Sequence, residues 1–321
     1  MIGLKDKYQS YFKIGTAVNT KTIETHADLI KKHFNSITCE NDTKFGSIQG
    51  RKGDFDFTKA DKIVQFARDN KIAMRGHTFT WHNQTPDWVF ENVDKDGLLE
   101  NLKTHMSILG KRYEQDFYCW DVVNEAIEDK SDLYFRESPW TEIIGEDFMD
   151  YAFRYARDIL PNTDLYYNDY NEAEIPKRDK IYEAVKSMKD RGIPIDGVGL
   201  QCHWSVYHPS LDHIKSAFEK YSKLGLKLQI TEMDVSVFAH DNLDKLEKPS
   251  EKILELQAKV YGDVFAIFRE HKDIIDNVTL WGVADDATWL DNFPVFNRKN
   301  WPLLFDEQHK PKEALLRIMD F

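Results

Sequence analysis

Cysteine is scarce in this sequence, with three among 321 residues. Cys39, Cys119 and Cys202 are odd in number, sit inside apolar strand-like runs and form no Cys-x-x-Cys element. They are therefore expected to be buried thiols, not a disulfide framework or a zinc site. No Gly-x-Gly-x-x-Gly follows an early strand-like run, which argues against a doubly wound dinucleotide-binding sheet. Residues 1–15 mix charged and aromatic side chains without a continuous apolar segment, so neither a signal peptide nor a membrane anchor is expected there. On that basis the chain is placed in the cytoplasm, the alternative being a secreted protein whose leader has been removed. Basic residues are outnumbered, 43 Lys and Arg against 55 Asp and Glu, and the net charge of -12 opposes nucleic acid and anionic membranes as partners.

Hydrophobic residues make up 41% of the chain, enough to bury a large core. Apolar, β-branched or aromatic runs recur at 12–19, 36–41, 73–81, 119–125, 165–170, 197–204, 226–235 and 278–285. Between them lie stretches of helical periodicity at 58–70, 98–113, 147–160, 178–192, 211–225 and 251–271, several ending in Gly or Pro. Residues 236–249, rich in Asp and Lys, read as a long loop after the seventh strand. This alternation, without a composition break or flexible linker, predicts an α/β fold: a single (β/α)8 TIM barrel over residues 1–321, with no separate carbohydrate-binding module.

Chemistry in such a barrel sits at the C-terminal ends of the strands. Nearly every predicted strand ends in polar groups: Glu40 and Asn41, His77 and Trp81, Asn124 and Glu125, Asn168 and Asp169, Gln201 and His203, Glu232 and Asp234, Trp281 and Asp285. Glu125 and Glu232 end the fourth and seventh strands, which lie roughly across the barrel from each other. Two facing carboxyl groups are what hydrolysis of a glycosidic bond requires, one to protonate the leaving oxygen and one to attack or to activate water. Adjacent strand residues point to opposite faces, so Asn124 shares the cleft with Glu125 only if the strand end bends. His203 and Asp234 read as an orienting pair that fixes which imidazole nitrogen faces Glu232. Trp81, Trp281 and Trp289 are candidate walls for sugar rings, with Trp88 and Trp204 left to the core.

Ordered motifs along almost the whole chain resemble glycoside hydrolase family 10, the retaining endo-β-1,4-xylanases. They are CENDTKFGSIQ from Cys39, RGHTFTWHNQTPDW from Arg75, WDVVNEAI from Trp120, YNDYN from Tyr167, GVGLQCHW from Gly197, ITEMDV from Ile230 and LWGVADDATWL from Leu280. FRESPW from Phe135 departs where the family usually has Leu-Arg, and ADDATW where Thr and Ser are commoner. The resemblance implies Glu125 as general acid/base, Glu232 as nucleophile, His203 and Asp234 as its positioning pair, and Asn124 as the amide near the sugar 2-hydroxyl. It further implies glycone-side contacts from Glu40, Asn41, Lys44, His77, Trp81, Gln84, Gln201, Trp281 and Trp289, and aglycone-side contacts from Tyr170 and Asn171. Xylan or xylo-oligosaccharides are the implied substrate. No metal or organic cofactor is required, and a structural cation such as calcium is left open. Repulsion from ionised Glu232 is expected to raise the pKa of Glu125.

Overall fold

In the computed structural model, which describes residues 2–321, eight parallel strands close on themselves. β1 (Lys13–Val18), β2 (Ser36–Cys39), β3 (Ala73–Thr80), β4 (Phe117–Asn124), β5 (Asp164–Asp169) and β6 (Gly197–Leu200) pair in sequence order. The chain then breaks and resumes as the short β7 (His203–Ser205), which lies along the outer half of β8 (Lys227–Ser236). β6 pairs with the inner half of β8, and β9 (Ile275–Leu280) pairs with both β8 and β1, closing the barrel. The run at 197–204 is thus two strands where one is expected. The break falls at Cys202, whose φ of 58° is left-handed, and the Glu232 and Asp234 amides donate to the carbonyls of Gln201 and Cys202 across it.

A helix follows each strand unit: α1 (Ala27–His33), α2 (Thr58–Asn70), α3 (Lys95–Arg112), α4 (Phe148–Ile159), α5 (Lys177–Asp190), α6 (Leu211–Ser222), α7 (Glu251–Glu270) and α8 (Glu313–Met319). Their packing follows from spacing. α2 buries Ala60, Ile63, Val64 and Ala67, one stripe of a 3.6-residue period, and ends at Lys71 in the left-handed region. Asp94, Ser210 and Ser250 cap α3, α6 and α7 by accepting a hydrogen bond from the backbone N–H three residues on. The predicted loop after the seventh strand is the connection between β8 and α7. All three cysteines are free and buried.

The barrel interior contains a fully buried ion pair. Arg75 on β3 donates to both oxygens of Asp121 on β4, at 2.5 and 3.1 Å, and its Nε donates to Gln229 on β8 at 2.5 Å. Charges this deep persist only when nearly every hydrogen-bonding position is matched. Beside them, Gly76 leaves room for the indole of Trp120. A Cβ there would lie 2.0–2.4 Å from its ring atoms. Gly76→Ala is expected to lose about 1–3 kcal/mol of stability by overpacking, read as a lower urea midpoint; an unchanged midpoint would show that the indole has another place to go.

Candidate active site

Register shifts interrupt the ladders at His77/Thr80 on β3, Asp121/Val123 on β4 and Ile230/Met233 on β8. These strands carry His77, Glu125 and Glu232, and such irregularities re-aim side chains at a barrel rim. Glu125 itself has φ 57°, the bend that lets it share the cleft with Asn124. Its amide donates to Asn168 O at 2.9 Å, and Arg136 Nε donates to its carbonyl at 3.0 Å, which fixes the strained residue from both sides.

A chain of side-chain amides joins the two carboxyl groups. Gln201 Nε2 and Asn124 Nδ2 donate to Glu125 Oε1 at 3.1 and 3.2 Å, and Trp81 Nε1 donates to Oε2 at 2.9 Å. Oε1 therefore takes two donors, leaving Oε2 as the oxygen with room for a proton. Asn124 Oδ1 accepts from Gln201 Nε2 at 3.2 Å and from Asn168 Nδ2 at 2.9 Å, and the same Asn168 Nδ2 donates to Glu232 Oε1 at 2.7 Å. Thr231 Oγ1, donating to Asn168 Oδ1 at 2.6 Å, sets the orientation of that amide. Asn168 stands among the strand-end residues in the sequence, yet nothing there assigns it this central place.

Glu232 is surrounded by nitrogen-bearing side chains. His203 Nε2 lies 3.3 Å from Glu232 Oε2 and His203 Nδ1 lies 3.0 Å from Asp234 Oδ2, so both ring nitrogens face carboxylates. Burial alone would lower the His203 pKa, but Asp234 and then Glu232 raise it to about 10, making it an imidazolium across the neutral range. Trp289 Nε1 donates to the same Asp234 oxygen at 2.8 Å. On the other side His77 Nδ1, 2.9 Å from Asp121, comes within 3.9 Å of Glu232 Oε1. Burial pushes the Glu232 carboxyl up, yet His77, His203 and Lys44 together bring it down to about 2.

Glu125 is raised instead, by burial first, then by the charge of Asp169, with Glu232 a smaller contributor. The expected repulsion from Glu232 is present, but it stands behind burial and Asp169. The amide chain stands between the two carboxyl groups, whereas Asp169, paired with Lys177 Nζ at 2.9 Å, lies on the neighbouring strand β5.

The remaining predicted residues divide around this centre. Lys44 is buried, donates to Asn41 Oδ1 at 3.0 Å and lies 4.7 Å over the Trp81 ring. Glu40 accepts from Asn19 at 3.2 Å, which brings β1 into the site, and exposed Gln84 reaches Asn41 at 3.4 Å. Trp281 packs its ring against His77 and His203, and Trp289 stacks on the exposed Phe293. Tyr170 and Asn171 gather instead around Asp129, with hydrogen bonds of 2.6 and 3.1 Å, where Lys177 covers the Tyr170 ring and Arg136 donates to its hydroxyl. Asp285 is not in the mouth. It is buried, accepts from Lys312 Nζ and Leu303 N at 2.8 Å each, and serves the packing of the C-terminal segment. Trp204 is buried as expected, its indole donating to Glu172 at 3.0 Å.

Because burial and Asp169 outweigh Glu232, the Glu125 carboxyl in a Glu232→Gln variant is expected to titrate still above its ordinary value of 4.5 by carboxyl-carbon NMR. A return to that value would make Glu232 the controlling charge.

Residues 3–321 match the model of glycosyl hydrolase family 10. The chain is 49% identical to endo-1,4-beta-xylanase A of Caldicellulosiruptor saccharolyticus, covering 100% of this chain and 96% of that one. It is 48% identical to an endo-1,4-beta-xylanase of Geobacillus stearothermophilus, covering 99% and 98%. Among solved structures it superposes with a TM-score of 0.98 on xylanase XynB from Paenibacillus barcinonensis, complexed with a conduramine derivative, at 46% identity over 99% of this chain and 98% of that one. A solved mutant in complex with xylotriose gives the same TM-score at 48% identity over the whole of both chains. The chain belongs to glycosyl hydrolase family 10.

Proposed function

We propose that this protein hydrolyses internal β-1,4-xylosidic bonds of xylan and xylo-oligosaccharides with retention of anomeric configuration, Glu232 acting as nucleophile and Glu125 as general acid/base. The observation that carries the assignment of roles is the opposite tuning of the two carboxyl groups within one network. Glu232 is held ionised by His203, His77 and Lys44, and Glu125 is pushed toward its protonated form. A nucleophile must be charged and an acid must hold its proton at the same pH.

In the first step a Glu232 oxygen attacks the anomeric carbon while the proton on Glu125 passes to the departing glycosidic oxygen. The Asn168 amide and the His203 imidazolium orient the attacking carboxylate. In the second step Glu125 takes a proton from water, the water oxygen bonds to the anomeric carbon, and the ester to Glu232 breaks. Asn124, held on its oxygen by Gln201 and Asn168, keeps its own N–H groups toward Glu125 and the sugar bound beside it. Glu40, Asn41, Lys44, His77 and Gln84 form a polar floor on the glycone side, with Trp81, Trp281 and Trp289 as apolar walls. Tyr170 and Asn171 receive the aglycone.

Reducing-sugar release from soluble xylan, carboxymethylcellulose and short xylo-oligosaccharides tests this reading. Release from xylan with little from carboxymethylcellulose, abolished in Glu232→Ala, is the expected result. Xylan hydrolysis by the variant at the native rate would sink the assignment. Glu125→Ala is expected to lose about 10²–10⁴-fold on xylan and far less on an aryl glycoside whose leaving group needs no proton. In His203→Asn the loss of a cation beside Glu232 raises that carboxyl's pKa, so the acidic limb of the kcat/KM profile should move to higher pH. A limb that stays in place would leave His203 only a packing role.

A further inference from the structure

Away from the amide network, three side chains converge across the seam where β1 meets β9. His26 lies between the helical turn Thr22–Thr25 and α1, Asp286 lies in the loop after β9, and His309 lies in the turn closed by the Phe305–Pro311 bridge. His26 Nε2 is 2.9 Å from Asp286 Oδ1, and His309 Nε2 is 3.4 Å from Asp286 Oδ2. The two imidazole rings are 4.2 Å apart, and one ligating atom from each of the three residues falls within 4.8 Å of the others. Two bonds of about 2.1 Å at a tetrahedral angle place their ligand atoms about 3.4 Å apart, so these spacings need little adjustment around one ion.

The hydrogen bonding of His26 points the same way. Its Nδ1 is 2.7 Å from Thr25 Oγ1, whose hydroxyl also lies 3.1 Å from Lys21 O. In the tautomer that donates from Nδ1 to Thr25 Oγ1, the Nε2 lone pair faces the Asp286 carboxylate. A metal ion bound there takes the place of a proton between that lone pair and the carboxylate oxygen. A ligating histidine whose other N–H is tied to an oxygen is the usual arrangement around a bound metal. His26 is buried, whereas Asp286 and His309 are 36% and 33% exposed in their side chains, so an ion has a route in from solvent. Two imidazoles and one carboxylate suit zinc and its neighbours better than calcium, which prefers an all-oxygen shell.

We propose that His26 Nε2, the Asp286 carboxylate and His309 Nε2 bind one divalent transition-metal ion of the zinc class, tying the first and last strand–helix units together across the barrel seam. The ion acts on the folded state, because His26 lies 260 positions from Asp286 in the chain and the two meet only when β9 closes on β1. It takes no part in the glycosidic chemistry, whose carboxylates are bound to other residues.

The test is calorimetric titration of the chelator-treated protein with Zn²⁺, together with Tm in Zn²⁺ and in chelator. His309→Asn removes one ligand while keeping a residue that tolerates the φ of 63° found there; Asp286→Asn removes the carboxylate charge. Binding of one equivalent and a Tm raised by Zn²⁺ are expected in the native protein. In either variant the affinity should fall at least about 10-fold and the Tm shift should vanish. Zn²⁺ binding that neither variant weakens would place the ion elsewhere, for example at His208, Glu174 and His213, and would overturn the proposal, as would the absence of binding in the native protein.

Discussion

Asp121 joins the barrel core to the catalytic mouth. Its carboxylate accepts from both Arg75 terminal nitrogens and from His77 Nδ1, and it lies on the strand that ends at Asn124, just before Glu125. Arg75, tied in turn to Gln229 on β8, spans three strands. Desolvating an ion pair this completely is costly, and the cost is offset only while every partner keeps its position. The same contacts that keep the pair satisfied hold the His77 ring within 3.9 Å of Glu232. Core stability and the state of the nucleophile are therefore not independent properties here.

That coupling explains how two glutamates in one mouth come to differ. His77 on β3, His203 on β7 and Lys44 in the loop after β2 converge on Glu232, while burial and Asp169 act on Glu125. The intervening amides of Asn124, Asn168 and Gln201 carry no charge and connect the two carboxyl groups by hydrogen bonds alone. Separation of roles thus comes from neighbours on both sides of the pair more than from the repulsion between its members. When Glu232 becomes an ester, Glu125 loses only a secondary contribution to its raised pKa; its proton has already left with the departing oxygen, and it meets water as a carboxylate.

Much of this was legible in the chain. Eight strand-forming runs, with six helical stretches marked among them, repeat along the chain, and a polar residue after an apolar run marks a strand's functional end in a parallel barrel. Glu125, Glu232, His203 and Asp234 could be singled out on that ground. The same rule also marked Asp285, which the structure pairs with Lys312 in the interior, because a strand-end carboxylate has the same local signature whether it faces the cleft or a buried lysine. Asn168 carried a signal of position but none of partnership, and Arg136 and Asp129 none of either kind. Their partners come from other strands and loops.

The sequence by itself determined the fold class, the eight-fold alternation and the identity of the two carboxyl groups, because periodicity and strand-end polarity are local properties of a chain. Tertiary structure alone decided which glutamate is ionised, which amide stands between them, and that His26, Asp286 and His309 meet. Those outcomes depend on distances between residues far apart in sequence, which only the packing of different strands and loops sets.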